Sequence, residues 1–251
     1  APTTSNRQIT GILIAGTAAN PIIYVSSSDP RIGGGTTTGD VNLDTNSGIV
    51  SKLTWNGSSW DKTDLVRGLP RSEENHSNNG MELDAATNTL YLAMGGNTNA
   101  GSPSTNFAFI TEYTLSAAIL SIDLDLIESL PTRGSGNTKY KYDLPTLNDP
   151  ARADIANPDY NAALPGSSPT MDINDPFGGN DGLNQARLIP DGPVQIYSPG
   201  YRNPYDLVIT RTLGKAGRMY TIDNGPNLGW GGYPQNEGAS GNPLTTSVTN
   251  N

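Results

Sequence analysis

The chain has 251 residues, 34% of them hydrophobic, a formal net charge of −9 and no cysteine. That apolar share is too high for a disordered chain and, at this length, supports one large all-β domain or two small ones. The charge repels nucleic acid, the missing thiols exclude a disulfide framework or a thiolate metal site, and no apolar run is long enough to span a membrane.

In chain order the pattern is one of short β-type runs broken by Gly, Asn, Asp and Pro; the 29 glycines and 19 prolines fit many turns. "ITGILIAG" and "PIIYVSSS" read as two strands joined by "TAAN". "GIVSKLTW" and "SWDKTDLVRG" read as a hairpin across a two-residue Asn56-Gly57 turn, with Trp55 and Trp60 flanking and packing it. "NGMELDAATNTLYLAMGG" reads as a second hairpin, turning at Asn88. "SAAILSIDLDLI" alternates Ile122, Leu124 and Leu126 with acids, as a half-buried strand does, and "KYKYDL" is expected to pair with it. Residues 145–192 form a long irregular insertion rich in Pro, Asn and Asp, a length that points to function or an anchoring ligand. "VQIYS", "DLVIT" and "RMYTIDN" follow. No helical stripe of useful length is present.

Grouped, four strands fall in residues 9–68, four in about 80–144, and the next group begins near 194. Four-stranded units in succession predict antiparallel blades of a β-propeller within a single domain over 1–251. A β-sandwich built from the same hairpins is the competing fold. Two to three blades are countable, and a closed ring needs at least four. The expectation is therefore part of a ring, completed by further blades of the same protein or by another chain.

Three polar stretches stand out. "RSEENHSNNGMELD" holds His76, the one histidine of the chain. "YSPGYRNPYDLVIT" carries an Arg-Asn-Pro turn, and "MYTIDNGPNLGWGG" carries a Gly-Pro-Asn turn one hairpin later. A His-x-x-x-Gly step before a hairpin, followed by these two turns, resembles the soluble glucose/sorbosone dehydrogenase family. The family's fold is a six-bladed propeller that binds pyrroloquinoline quinone (PQQ) beside calcium. The resemblance implies that His76 is the base taking a sugar hydroxyl proton, that Arg202 and Asn203 contact the quinone, and that backbone carbonyls at Gly225 and Pro226 hold calcium. The sequence departs from the family after the hairpin that follows the histidine. An acid is usual there, and this chain reads Gly95-Gly96-Asn97.

The residues also speak for themselves. A histidine is the only side chain whose ordinary pKa lies near neutral, which suits a general base; the alternative, between Asn75 and Ser77, is an exposed and idle loop residue. Arg202 suits bidentate pairing with a carboxylate, or a strut between blades, and Asn203 is a ligand or a turn former. Two oxygen-rich loops suggest further calcium. Asp40, Asn42, Asp44 and Asn46 alternate as in the start of a calcium loop, although Thr45 stands where Gly makes the bend and Ser51 where a Glu closes it. Asp172, Asn174, Asp175, Asn180 and Asp181 lie in the Gly-rich "MDINDPFGGNDG". Asx turns explain both loops without a metal. Trp230, beside the Gly-Pro-Asn turn, suits a site wall against a sugar ring. The expected protein is thus extracellular or periplasmic, a PQQ- and calcium-dependent dehydrogenase of a sugar or other alcohol. The alternative is a non-catalytic, calcium-stabilised carbohydrate-binding, adhesion or structural module of a larger extracellular protein.

Overall fold

The computed structural model describes residues 6–31, 45–72, 74–101, 107, 112–145, 186–212 and 214–225. It is an all-β structure, 50% strand and 6% helix. In chain order the elements are β1 (Gln8–Gly16), β2 (Pro21–Ser28), β3 (Gly48–Trp55), β4 (Trp60–Leu69), β5 (Asn78–Asp84), β6 (Thr89–Met94), β7 (Ala118–Asp123), helix α1 (Leu124–Ser129), β8 (Tyr140–Asp143), β9 (Val194–Pro199), β10 (Pro204–Ile209) and β11 (Met219–Asp223). They form three sheets: β1-β2-β3-β4-β8, β5-β6-β7-β9, and the β10-β11 pair. Neighbours are antiparallel except β8, which runs parallel to β4. Among the described residues these sheets do not close into a propeller ring.

The layers follow from a period of two. On β6 and β7, Leu90, Leu92, Met94, Leu120 and Ile122 point one way and join Tyr24, Val50, Leu65, Val66 and Leu69 in the main core. Tyr91, Ala93 and Ile119 point the other way, against Leu207 and Met219 of the β10-β11 pair. The middle sheet is covered on both faces, which is why "TLYLAM" is a nearly unbroken apolar run. The first strands of the sheets are neighbours: β5 lies against both β1 and β10. The approach is close. A Cβ at Gly11 would overlap the Asn79 carbonyl, and one at Gly80 would stand 2.9 Å from Asp206 Cα. Gly80→Ala is therefore expected to force two strands apart and cost about 1–3 kcal/mol. A urea midpoint equal to wild type at unchanged slope would refute it.

Four local expectations are corrected. The 56–59 loop is longer than a two-residue turn: Asn56 Oδ1 accepts the backbone N–H of Ser58 at 3.0 Å and of Ser59 at 2.9 Å. Trp55 and Trp60 face each other across it, ring centroids 5.5 Å apart. The strand through Ile122 stops at Asp123, whose side chain caps α1 by accepting the Leu126 N–H at 2.9 Å. Leu124 and Ile127, three apart, are then buried and Leu126 is not. β8 does not pair with β7. It adds to β4, where Asp143 takes a two-pronged bond from Arg67 and the Arg67 guanidinium lies 3.5 Å over the Tyr140 ring. The fourth strand of the middle sheet is β9, so the next group begins at β10 and not near 194. Of the expected insertion over 145–192, residues 146–185 lie outside the described residues.

Candidate functional site

The segment between β4 and β5 is organised by Arg71, which is fully buried. Its guanidinium donates to the carbonyls of Asp29 (3.3 Å), Arg31 (2.8 Å), Glu74 (2.8 Å) and His76 (3.4 Å), and to that of Ser72. The loop also closes on itself. The Ser72 N–H donates to the His76 carbonyl at 2.9 Å, and Ser72 Oγ accepts the His76 N–H at 3.0 Å. This fixes the backbone that carries the imidazole.

His76 is 1% exposed. Its ring lies 4.9 Å from that of Phe107, and Nδ1 is 2.9 Å from the Gly96 carbonyl oxygen. A carbonyl only accepts, so Nδ1 carries the proton and Nε2 keeps its lone pair. No hydrogen bond reaches Nε2 among the described residues. Burial pushes the imidazole pKa down to about 3, with the Arg202 and Arg71 charges adding to the fall and the Gly96 bond opposing it. The ring is therefore neutral at ordinary pH.

The Gly95-Gly96 turn after β6 ties His76 to the Arg-Asn-Pro turn. The Gly95 N–H donates to the Ser77 carbonyl and the Gly96 N–H to the Arg202 carbonyl, each at 2.8 Å. A Cβ at Gly95 would stand 2.7 Å from both His76 Cβ and Asn203 Oδ1, so no side chain fits. Asn203 Oδ1 accepts from Asn79 Nδ2 at 2.8 Å, which also donates to the Pro204 carbonyl. Asp223, at the end of β11, accepts the N–H of Asn203 at 2.7 Å and of Arg202 at 3.1 Å. Asn224 completes the clasp: its N–H donates to the Asn203 carbonyl, and its own carbonyl accepts Arg202 Nη1, both at 3.2 Å.

The structure thus brings His76, Arg202 and Asn203 together and seats Gly225 one residue beyond the Asn224 clasp. Burial lowers the Arg202 pKa against the opposing charges of Glu74 and Asp223. Burial likewise raises that of Glu74, against the Asn75 N–H and the two arginines. Pro226, Asp40, Asn42, Asp44, Asp172, Asp175, Asp181 and Trp230 lie outside the described residues. Among the described residues no cluster of three or more His, Asp or Glu side chains is placed to hold a metal.

Four contributors escape a reading by motif: Arg71, Asn97, Glu112 and Asp223. Asp223 had a signal, since it precedes the conspicuous Asn-Gly-Pro-Asn turn. Arg71 opens the stretch that holds His76 and Asn97 ends the Gly95-Gly96-Asn97 step, but neither pattern nor spacing assigns a role to them or to Glu112. Asn97 is 1% exposed, and neither polar atom of its carboxamide has a hydrogen-bond partner among the described residues. Such a group costs on the order of 1–3 kcal/mol unless a water or a ligand meets it. Chemically, the cluster offers a neutral proton acceptor, two buried guanidinium charges nearby and an unspent amide. That combination suits an oxygen-rich anion beside a hydroxyl group to be deprotonated. In comparisons with protein-family models, curated proteins and solved structures, the chain matches none.

Proposed function

We propose that this cluster is the cofactor end of a quinoprotein-type site acting on a sugar or other alcohol, in a protein of extracellular or periplasmic location. The observation that carries the reading is the hydrogen-bonded line from His76 through Gly96 to Arg202, with Nε2 free of hydrogen-bond partners among the described residues. The proposal includes the fold: the three sheets are successive blades of a β-propeller, supported by the side-by-side packing of their first strands, β1, β5 and β10.

The residues present fit an anionic quinone such as PQQ. Arg202 and Asn203 would hold it, and the Asn97 amide, without a partner among the described residues, is available to a carbonyl or carboxylate oxygen. When bound, the quinone supplies a two-electron acceptor for the hydride leaving the carbinol carbon. The protein's part is to take the hydroxyl proton at His76 Nε2, leaving the oxidised carbonyl product. With a pKa of about 3 the imidazole is a weak acceptor, and an anion beside Arg202 offsets one cause of that weakness. Calcium belongs to the same proposal, at the Gly225 and Pro226 carbonyls and at the loops holding Asp40, Asn42 and Asp44 or Asp172, Asp175 and Asp181.

The protein supplied with PQQ and calcium is expected to reduce a dye with an aldose as donor, and His76→Gln is expected to abolish this while calcium still raises the melting temperature. Dye reduction that survives His76→Gln would sink the assigned role, and absence of quinone binding at micromolar concentration would sink the site.

A second reading has its own observations. His76 is sealed against Phe107, and a groove beside β9 and β11 is lined by Tyr197, Tyr201, Tyr220, Arg218 and Thr221. Aromatic faces with polar rims suit sugar rings. This favours a calcium-stabilised carbohydrate-binding, adhesion or structural module, which would show sugar binding without quinone binding.

A further inference from the structure

The 96–97 peptide stands between two side chains. Its carbonyl, on Gly96, accepts His76 Nδ1–H at 2.9 Å. Its N–H, on Asn97, donates to Glu112 Oε2 at 2.9 Å. The two groups belong to one trans peptide unit and point in opposite directions, so the carboxylate sits directly behind the imidazole's acceptor. Glu112 is itself held: Ser116 Oγ donates to Oε2 at 2.6 Å, and Thr98 Oγ1 donates to Oε1. The arrangement needs glycine at position 96. A Cβ there would stand 2.6 Å from Glu112 Oε1 and 3.0 Å from Oε2, so the carboxylate fills the space a side chain would take.

We propose that Glu112 is the positioning residue for His76, acting through the 96–97 peptide to hold the imidazole as the Nδ1–H tautomer with its Nε2 lone pair presented. A negative charge accepting the peptide N–H polarises the unit and strengthens its carbonyl as an acceptor. The imidazole proton is thereby drawn to Nδ1, the way a second partner fixes which ring nitrogen is free. The catalytic consequence rests on His76 being the base; the tautomer does not.

Because the chain has one histidine, long-range nitrogen–proton NMR on the 15N-labelled full chain reads this ring without ambiguity. Wild type is expected to show the Nδ1–H tautomer alone. Glu112→Gln, checked for folding by circular dichroism, is expected to show a mixture with Nε2–H. If dye reduction is present, kcat should fall about tenfold at unchanged KM. Should Glu112→Gln fail to fold, Ser116→Ala and Thr98→Val loosen the carboxylate without removing it, and a smaller shift in the same direction is expected. An Nε2–H wild type overturns the proposal, as does a folded Glu112→Gln, or a loosened pair, with the wild-type tautomer. A tautomer shift without any dye reduction sustains the positioning role and overturns the base reading.

Discussion

Replacing Arg71 by Lys is expected to destabilise the protein by about 3 kcal/mol or more, although the charge is kept. Arg71 has no solvent exposure, and its guanidinium spreads donors over carbonyls of residues 29, 31, 72, 74 and 76. These carbonyls come from two separate segments, one leaving β2 and one entering β5. An ammonium group has three donors on a flexible stem and cannot fork toward both. The carbonyls left behind lose a charged donor, although that of His76 keeps the Ser72 N–H, and the two segments lose their common tether. The effect should be local as well as global. The His76 carbonyl is one of the acceptors, so the His76 resonances should move toward those of a solvent-exposed ring in Arg71→Lys even well below its melting point. Denaturant unfolding that changes by less than about 1 kcal/mol, a surface-like value, would contradict the tether.

The legible parts of the fold are those where pattern and burial coincide. "TLYLAM" reads as a strand of the second hairpin, and its nearly unbroken apolar run matches the sheet packed on each side of it. The hairpin at Asn56 reads correctly as a hairpin, but the side chain of Asn56 organises a longer loop than its Asn-Gly pair suggests. "SIDLDLI" misleads because alternation and capping compete there: Asp123 satisfies the first turn of a helix, and the period changes from two to nearly four at that residue. The pairing of β8 with β4 rests on Arg67, Tyr140 and Asp143, far apart in sequence, which no local pattern encodes.

The candidate site divides in the same way. His76, Arg202 and Asn203 stand out because turn-forming residues surround them, and the structure does bring them together. What holds them is mostly backbone: the carbonyls gathered by Arg71, the N–H groups gathered by Asp223, the peptide between Glu112 and His76. Main-chain groups are the same in every sequence, so side chains that serve them leave no spacing to read. Gly95-Gly96 shows the point most sharply. In the sequence it reads as an acid that is missing. In three dimensions residue 95 has no room for a Cβ beside His76 and Asn203, and Glu112 brings a carboxylate to the place beside residue 96 from another part of the chain.

Acid is expected to destabilise the protein well before its carboxylates are protonated. The folded imidazole pKa of His76 lies at about 3 against an ordinary 6.5. Above pH 6.5 the ring is neutral in both states and contributes nothing to the pH dependence. Between 6.5 and 3 the unfolded chain takes up a proton that the folded protein refuses, so unfolding becomes steadily more favourable as pH falls. The slope approaches about 1.4 kcal/mol per pH unit, and the loss at pH 4.5 is on the order of 2–3 kcal/mol. Glu74 works the other way. Its folded pKa is raised, so the folded state binds its proton more readily and gains stability as the pH falls toward the carboxylate range. The His76 share is isolated by comparison with His76→Gln, whose stability should be flatter between pH 7 and 5, where ordinary carboxylates remain ionised in both states. If that variant does not fold, the single histidine offers a second measurement: its ring proton shifts should stay constant in the folded protein from pH 7 to 4. Titration of those shifts with a midpoint near 6.5 would mean the ring is solvated in solution, and the sealed, neutral base described for this site would have to be given up.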